Sequence, residues 1–126
     1  MTTFNGEGEG RYNGWTNYET WCVNLWIGNE EGSFTYWGEK AEELVRTDPD
    51  DLLPSWCKDG WPSWHSPDQE RVARLADAMK EEIEAEGLDT VSEGLFADLL
   101  GAALSEVEWL EIAEGFIDSA KEAVAS

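Results

Sequence analysis

The sequence predicts a mainly α-helical fold, in which about five helices form a single compact domain with a Pro/Trp-rich loop between the second and third. Apolar residues recur every three or four positions in five segments, as they do on one face of a helix. No segment alternates apolar and polar residues for long enough to indicate a strand. A chain of 126 residues with 41% hydrophobic residues can build one core of modest size. We therefore expect one helical domain over residues 13–126 after a flexible N-terminus, residues 1–12.

The first helix is predicted to be the central element of the core. Asn17 is its expected N-cap, because its side-chain oxygen can accept a backbone N–H that the first turn leaves unpaired. Apolar residues then cover most of the helix circumference, which is typical of a buried helix. A narrow polar strip, Asn17, Thr20, Asn24 and Gly28, interrupts them. This strip indicates either close packing of another backbone or a binding site.

Caps and breakers set the expected ends of the helices. Gly32 should end the first helix and Ser33 should cap the second. Gly87 should end the third, and Ser105 with Glu108 has the pattern of a capping box that opens the fifth. The predicted helices are residues 17–30, 33–46, 68–86, 93–104 and 105–124. Their inward faces predict a core that contains Trp21, Leu25, Trp37, Leu75, Met79, Leu99, Ile112 and Phe116.

Two segments of the chain carry a resemblance to a known family. Residues 13–32 read NGWTNYETWCVNLWIGNEEG, and residues 94–122 read GLFADLLGAALSEVEWLEIAEGFIDSAKE. Both resemble a family of small, largely uncharacterised proteins that phages, plasmids and other mobile elements encode. Members of that family carry an N-G-W-x-N-Y-E-T-W-x-V-x-L-W motif near the N-terminus. The resemblance implies a genomic setting and no particular chemistry, so it carries over no functional residues.

The charge of the chain excludes several classes of partner. There are 28 acidic and 8 basic residues, which give a formal net charge of −20. Such a chain repels phosphate backbones and anionic membrane surfaces, so we expect no direct binding to nucleic acid or membrane. Basic protein surfaces or cations are the expected partners. No apolar run is long enough to span a membrane and no leader pattern is present, so we expect a cytoplasmic protein of the host cell.

The loop at residues 48–67 differs from the rest of the chain. It contains four prolines, Trp56, Trp61, Trp64 and His65, the chain's one histidine, without helical or strand periodicity. A long loop with its own aromatic cluster is often functional. The favoured interpretation is a lid, in which the three tryptophans fold over a thin core. The alternative is a ligand site.

The sequence offers little for catalysis or for a metal. It lacks a phosphate-binding glycine loop, a nucleophile elbow and a His-Glu-x-x-His pair. Cys57 lies eight residues from His65, but only spatial pairing would make the two a dyad. Cys22 and Cys57 are expected to be reduced core thiols. Asp48, Asp50 and Asp51 do not continue into a calcium loop. We therefore predict no enzyme, no cofactor and no metal.

The leading functional hypothesis uses the acidic residues themselves. Rigid helices that display carboxylates in rows can occupy a basic channel meant for DNA or RNA, as anti-restriction and anti-CRISPR proteins that mimic DNA do. The third and fifth helices are predicted to supply these rows. The partner-binding residues are Glu70, Asp77, Glu81 and Glu84 on the third helix, and Glu106, Glu111, Glu114, Asp118 and Glu122 on the fifth.

Two other functions stay open at this point. The first is a small-molecule or peptide-binding module that uses Asn17, Thr20, Asn24, Trp56, Trp61 and Trp64. The second is a structural or housekeeping protein of the element with no inhibitory role. The acidity itself also fits general solubility or adaptation to high salt. The sequence does not identify the target or the oligomeric state.

Overall fold

The structure is a computed structural model that describes residues 12–125. Within this range it contains six helices: α1 (Tyr18–Asn29), α2 (Glu31–Arg46), α3 (Pro49–Leu52), α4 (Pro67–Thr90), α5 (Leu95–Ser105) and α6 (Trp109–Ala125). Residues 12–125 contain no strand, only an isolated bridge between Tyr12 and Trp15. The mainly α fold is therefore confirmed. The predicted flexible N-terminus lies outside the described residues, apart from Tyr12. No helix in the described range is long and apolar enough to cross a membrane.

The core lies where α6 packs along both α2 and α4, the two most extensive helix contacts in the fold. Ridges of apolar side chains on the three helices interlock there and exclude water. The predicted core residues Trp37, Leu75, Met79 and Ile112 are all buried. Other buried members are Ala41, Ala76, Trp109, Ala113, Ile117 and Ala120, with Ile27 from α1 and Val107 from the turn before α6.

The prediction that α1 is the central helix is wrong. Only Thr20 and Ile27 of α1 are buried. Trp21 is half-buried and packs on Tyr12, with ring centroids 4.9 Å apart, and Leu25 is exposed. Apolar residues all around a helix predict burial only if neighbours cover every side. α1 packs mainly on α2 and α6, so its remaining apolar faces stay near the surface.

Of the two remaining core assignments, Leu99 is wrong and Phe116 lies at the edge of the core, packed against it. Leu99 is exposed, because α5 packs mainly on the end of α4 and buries no residue completely. Phe116 is half-buried beside Phe34, with ring centroids 5.9 Å apart. Gly87, expected to end the third helix, lies inside α4, which continues to Thr90. A Cβ at Gly87 would come within 3.1 Å of Leu100, so the glycine allows α5 to approach α4 closely.

The helix ends follow the sequence signals only in part. Asn17 caps α1 as predicted, because its Oδ1 accepts the Thr20 backbone N–H at 2.9 Å. α2 begins at Glu31 after one extended residue, so Gly32 and Ser33 lie in its first turn and neither ends nor caps a helix. Ser105 is the last residue of α5 and donates to the Ala102 carbonyl at 2.6 Å. The capping box predicted there does not form.

A hydrogen-bond network around the buried Thr20 connects α1 to the turn before α6. The Thr20 hydroxyl, which is fully buried, donates to Asn17 Oδ1 at 2.7 Å. The same hydroxyl oxygen accepts the Glu108 backbone N–H at 2.8 Å. Asn17 Nδ2 donates to the Glu106 carbonyl at 2.7 Å. The polar strip therefore serves close packing at Asn17 and Thr20, the first of the two possibilities that the sequence left open.

Arg71 makes a second buried connection, between α4 and the end of α2. Its guanidinium donates to the Leu44 carbonyl and to the Thr47 carbonyl, both at 2.9 Å. The Leu44 carbonyl also accepts the Thr47 backbone N–H at 3.2 Å, so Arg71 adds side-chain donors to the C-terminal end of α2, where intrahelical donors run out. The guanidinium also contacts Asp68 at 2.8 Å, which compensates its buried charge.

We predict that the two tryptophans proposed for the core contribute unequally to stability. Trp37→Ala should lower the free energy of unfolding by about 3–5 kcal/mol, because Trp37 is only 3% exposed. Trp21→Ala should cost clearly less, because its ring lies at the half-buried edge of α1. Urea unfolding of both variants measures this difference. A larger loss for Trp21→Ala would contradict the edge position of α1.

We also predict that Thr20→Val destabilises the fold without changing its shape. The valine removes the acceptor of the part-buried Glu108 N–H, which costs about 1–3 kcal/mol. The matched control is Thr35→Val, the same chemical change at an exposed position of α2, which should stay within about 0.5 kcal/mol of the parent. Equal unfolding midpoints for the two variants would show that the network is unimportant.

Candidate functional site

A groove lined by several carboxylates runs between the first half of α4 and α6, and we call it the acidic groove. Its volume is about 680 Å³. Val72, Ala73 and Ile117 form an apolar part of its wall. Its carboxylates are those of Asp68, Glu108, Glu111, Glu114 and Asp118, and its basic residues are His65 and Lys121. The groove thus combines apolar surface with a clear excess of negative charge.

An ion pair closes one side of the acidic groove. Lys121 Nζ lies 2.9 Å from Asp68 Oδ2, and the Arg71 guanidinium lies 2.8 Å from the other oxygen of Asp68. The hydrogen bond from Lys121 lowers the pKa of Asp68; partial burial opposes this, and Arg71 adds to the lowering. Asp68 in turn raises the pKa of Lys121. The negative charge that faces solvent therefore comes from Glu108, Glu114 and Asp118, which are all exposed.

The predicted row on the last helix is largely present. Glu114, Asp118 and Glu122 are exposed on α6 at intervals of four residues, and so share one face. Glu111 is half-buried, and its Oε1 accepts the Thr16 backbone N–H at 3.1 Å. Glu106 is exposed but lies at the C-cap of α5, not in the first turn of α6. Three of the five predicted side chains thus form a continuous exposed row.

The predicted row on α4 is interrupted. Asp77 and Glu81 are exposed. Glu84 is half-buried and pairs with Lys80 at 3.1 Å. The Glu70 side chain is only 14% exposed and pairs with the Arg74 guanidinium at 2.8 Å. Charges from the same helix therefore neutralise half of this row, which makes α6 the better candidate surface.

The loop tryptophans do not form the predicted lid. Trp56 and Trp64 stack on each other, with ring centroids 5.4 Å apart and planes 6° from parallel. They are 56% and 67% exposed, so they cannot cover the core, and we call these two residues the Trp pair. Trp61 is half-buried, and its indole N–H is enclosed without a hydrogen-bond partner in the described structure. The loop presents a flat aromatic surface to solvent.

His65 links the loop to α4, a role that the sequence did not reveal. Its ring lies 5.7 Å from Trp56, 6.1 Å from Trp61 and 5.8 Å from Trp64 between centroids. Its Nε2 lies 2.8 Å from Glu70 Oε1, and because a carboxylate only accepts, that nitrogen carries the hydrogen. The sequence offered one signal for this contact, which is spacing: Glu70 lies five residues after His65 and four residues before Arg74.

The alternative ligand residues on α1 lie elsewhere. Asn17 and Thr20 use their polar atoms in the network with the turn before α6. Asn24 lines a separate groove of about 440 Å³ between α1, α2 and α6. That groove is mostly apolar, and its members include Gly28, Gly38 and Gly115. The structure therefore does not join Asn17, Thr20 and Asn24 to the loop tryptophans as one site.

The cysteine and aspartate candidates have structural explanations. Cys57 is buried, and burial together with the charge of Glu70 raises the pKa of its thiol, which disfavours a nucleophilic thiolate. Asp48 caps α3 by accepting the Asp50 backbone N–H at 2.9 Å. Within residues 12–125, no cluster of three or more His, Cys, Asp or Glu side chains could hold a metal ion.

We predict a pH dependence that is specific to Glu70. Burial alone would raise the pKa of Glu70, but hydrogen bonds from Arg74 and His65 outweigh burial and lower it below 4.5. Its ionised form thus stabilises the fold above pH 4.5, and this stabilisation is lost as the pH falls through the lowered pKa. Glu70→Gln should therefore be less stable than the parent at pH 7.

Thermal unfolding of both proteins between pH 7 and pH 3 measures the effect. The difference in stability should narrow below pH 4.5, because the parent then loses the same charge. The comparison of the two proteins cancels the general effect of protonating the other acids. A difference that stays constant over this range would show that Glu70 does not stabilise the fold as a carboxylate.

The comparisons with known proteins give one match. Curated proteins and solved structures show no significant similarity to the chain. A family model matches residues 9–58, which include α1, α2, α3 and the loop as far as Lys58. The matched residues contain the N-terminal motif but neither the acidic groove on α4 and α6 nor Trp64. Over residues 9–58 the chain is similar to DUF7249, a family of unknown function.

Proposed function

We propose that this chain is an acidic binding protein of a mobile element, which inhibits a host nucleic-acid-binding protein by occupying its basic surface as a DNA or RNA mimic. The observation that carries the proposal is the exposed row Glu114, Asp118 and Glu122 beside the acidic groove. The mobile-element setting rests on the resemblance of residues 13–32 and 94–122. The target is expected to be a defence protein of the host cell.

The distribution of charge along the chain supports a strongly acidic surface on its C-terminal part. Residues 81–120 include twelve acidic residues and no Lys, Arg or His. They comprise the end of α4, all of α5 and most of α6. Lys80 at its border pairs with Glu84, but the stretch itself contains no base, so its excess of negative charge extends into solvent. A field of one sign speeds the approach of an oppositely charged partner.

The mimicry that we propose concerns the sign of the field and not the spacing of phosphates. Acids four residues apart on α6 are separated by about 6 Å along the helix axis. Duplex DNA carries one charge per about 1.7 Å of its axis. The basic channel of the partner must therefore also contact the apolar wall of the acidic groove, at Val72, Ala73 and Ile117. This combination distinguishes a shaped binding surface from general acidity.

We predict that reversing the α6 row weakens partner binding more than an equal change of charge elsewhere. The test variant carries Glu114→Lys, Asp118→Lys and Glu122→Lys. The matched control carries Glu31→Lys, Glu39→Lys and Glu43→Lys, three exposed acids on α2. Each reversal changes the net charge by two, so both triple variants move it from −20 to −14. Only the position of the charge differs between them.

The measurement is capture of nucleic-acid-binding proteins from bacterial lysate on the immobilised parent and on both variants. Proteins that duplex DNA displaces should be retained by the parent and the α2 control, and lost from the α6 variant. Retention should also fall steeply between 0.05 and 0.5 M salt, because exposed charges are screened beyond about 8 Å at 0.15 M. Equal retention by the two triple variants would overturn the proposal.

A further inference from the structure

The Trp pair is an exposed aromatic surface that the proposed function does not use. Each indole covers one face of the other, yet Trp56 and Trp64 remain 56% and 67% exposed. Large apolar rings grouped at the surface mark interaction sites more often than single exposed side chains do. Stacking against each other buries only part of their apolar area, and a ligand that covers the outer face would bury more.

The pair is held in place before any ligand arrives. His65 contacts both rings and donates to Glu70, which also binds Arg74. Arg74 donates in turn to the Leu52 carbonyl at 2.9 Å, and so fixes the start of the loop. Leu52, Pro54 and Cys57 are buried beneath the loop. A rigid surface loses less conformational entropy on binding than a flexible one.

Charge selects the ligand among groups that stack on indoles. Nucleobases, sugar rings and guanidinium groups can all lie flat on tryptophan. A nucleobase of DNA or RNA is attached to a phosphate backbone, which a chain of net charge −20 repels. A guanidinium is attracted by that charge, and tryptophan is the best aromatic partner for a cation. Among residues 12–125 the one recorded cation over a ring is Lys40 over Tyr36, so no cation of these residues is recorded over the pair.

The pair is also continuous with the acidic groove. His65 contacts both rings of the pair and lines the groove together with Asp68, Glu114 and Asp118. A basic segment with an arginine on the pair could therefore place its next basic residues in the groove. The loop tryptophans and the acidic residues, which the sequence analysis gave as alternative sites, therefore meet at His65.

We propose that the Trp pair and the acidic groove form one binding surface for an arginine-rich protein segment, with one guanidinium stacked on the exposed face of the pair. This inference rests on the proposed function for the nature of the partner. It adds that the partner presents arginine rather than lysine at this position. Lysine has a compact, strongly hydrated ammonium group, which cannot stack as a planar guanidinium does.

The test compares two labelled peptides of equal charge, nona-arginine and nona-lysine, by fluorescence anisotropy at fixed low salt. The parent should bind nona-arginine about two- to fivefold more tightly, which is the size of one exposed cation–π contact. Trp56→Ala with Trp64→Ala should bind both peptides equally, with affinity for nona-lysine unchanged. The matched control is Trp26→Ala, an equally exposed tryptophan on α1, which should keep the preference for arginine.

The other variants separate this proposal from the proposed function. The α6 triple reversal should weaken binding of both peptides and leave the preference for arginine intact. A preference that survives the loss of both tryptophans would overturn the Trp pair as the arginine site, whatever the α6 variant does. Conversely, a preference that depends on the pair, with no effect of the α6 reversal on either peptide, would support the pair and overturn the acidic row.

Two controls keep the test decisive. If the double alanine variant fails to fold by circular dichroism, Trp56→Phe with Trp64→Phe replaces it; smaller rings keep much of the packing, and the preference for arginine should decrease. Cellohexaose is the neutral probe for a sugar site. Tight binding of cellohexaose that the double variant abolishes, without any preference for nona-arginine, would overturn the proposal in favour of a glycan site.

Discussion

The packing of α6 along α2 and α4 forms the core, and the buried hydroxyl of Thr20 is the polar contact that fixes the start of α6 relative to α1. It accepts the Glu108 N–H and donates to Asn17, which itself binds the Glu106 carbonyl. The turn before α6 is thereby fixed against the start of α1. A few residues away, the Thr16 N–H holds Glu111. The region similar to DUF7249 therefore positions carboxylates that lie far outside it in the sequence.

Three basic residues of the chain hold separate elements of the structure together. Arg71 satisfies the end of α2, Arg74 fixes the loop, and Lys121 pairs with Asp68 at the edge of the acidic groove. Each of these cations is committed to a carbonyl or a carboxylate within the fold. Arg71 and Arg74 thus place positive charge at the junction of α2, α4 and the loop, whereas residues 81–120 contain twelve acids and no base.

Periodicity identified the helices and much of the core, because α2, α4 and α6 each have one apolar face. Trp37, Leu75 and Ile112 lie on those faces and are buried as predicted. Periodicity did not predict the burial of α1 and α5, because these helices carry more apolar surface than their neighbours cover. The sequence signals also misplaced two helix ends. Gly87 lies inside α4, where it allows close contact with α5, and Ser105 ends α5 instead of capping the next helix. Burial depends on neighbours, which a local pattern does not contain.

The candidate site was predictable to the extent that it depends on one helix. The row on α6 follows from spacing alone. The interruption of the α4 row also follows from spacing, because Arg74 and Lys80 each lie four residues from the acid that they pair with. By contrast, the contact of His65 with Glu70 depends on the position of the loop, and the pair of Asp68 with Lys121 joins residues 53 apart in sequence. Stacking of Trp56 on Trp64 likewise requires the loop to turn back on itself. Contacts of this kind carry no sequence signal, and they join the loop and the groove.

The stretch without bases has a practical consequence for mapping contacts. Trypsin cleaves after lysine and arginine, so residues 81–121 leave a complete digest as one long peptide. Reagents that join amines have no side chain to modify between Lys80 and Lys121, and enzymes that acetylate or ubiquitinate lysine find none there. Contacts made by α5 and most of α6 will thus be invisible to amine cross-linking. Carboxylate-directed coupling, for which this surface is unusually rich in targets, is the chemistry that can record them.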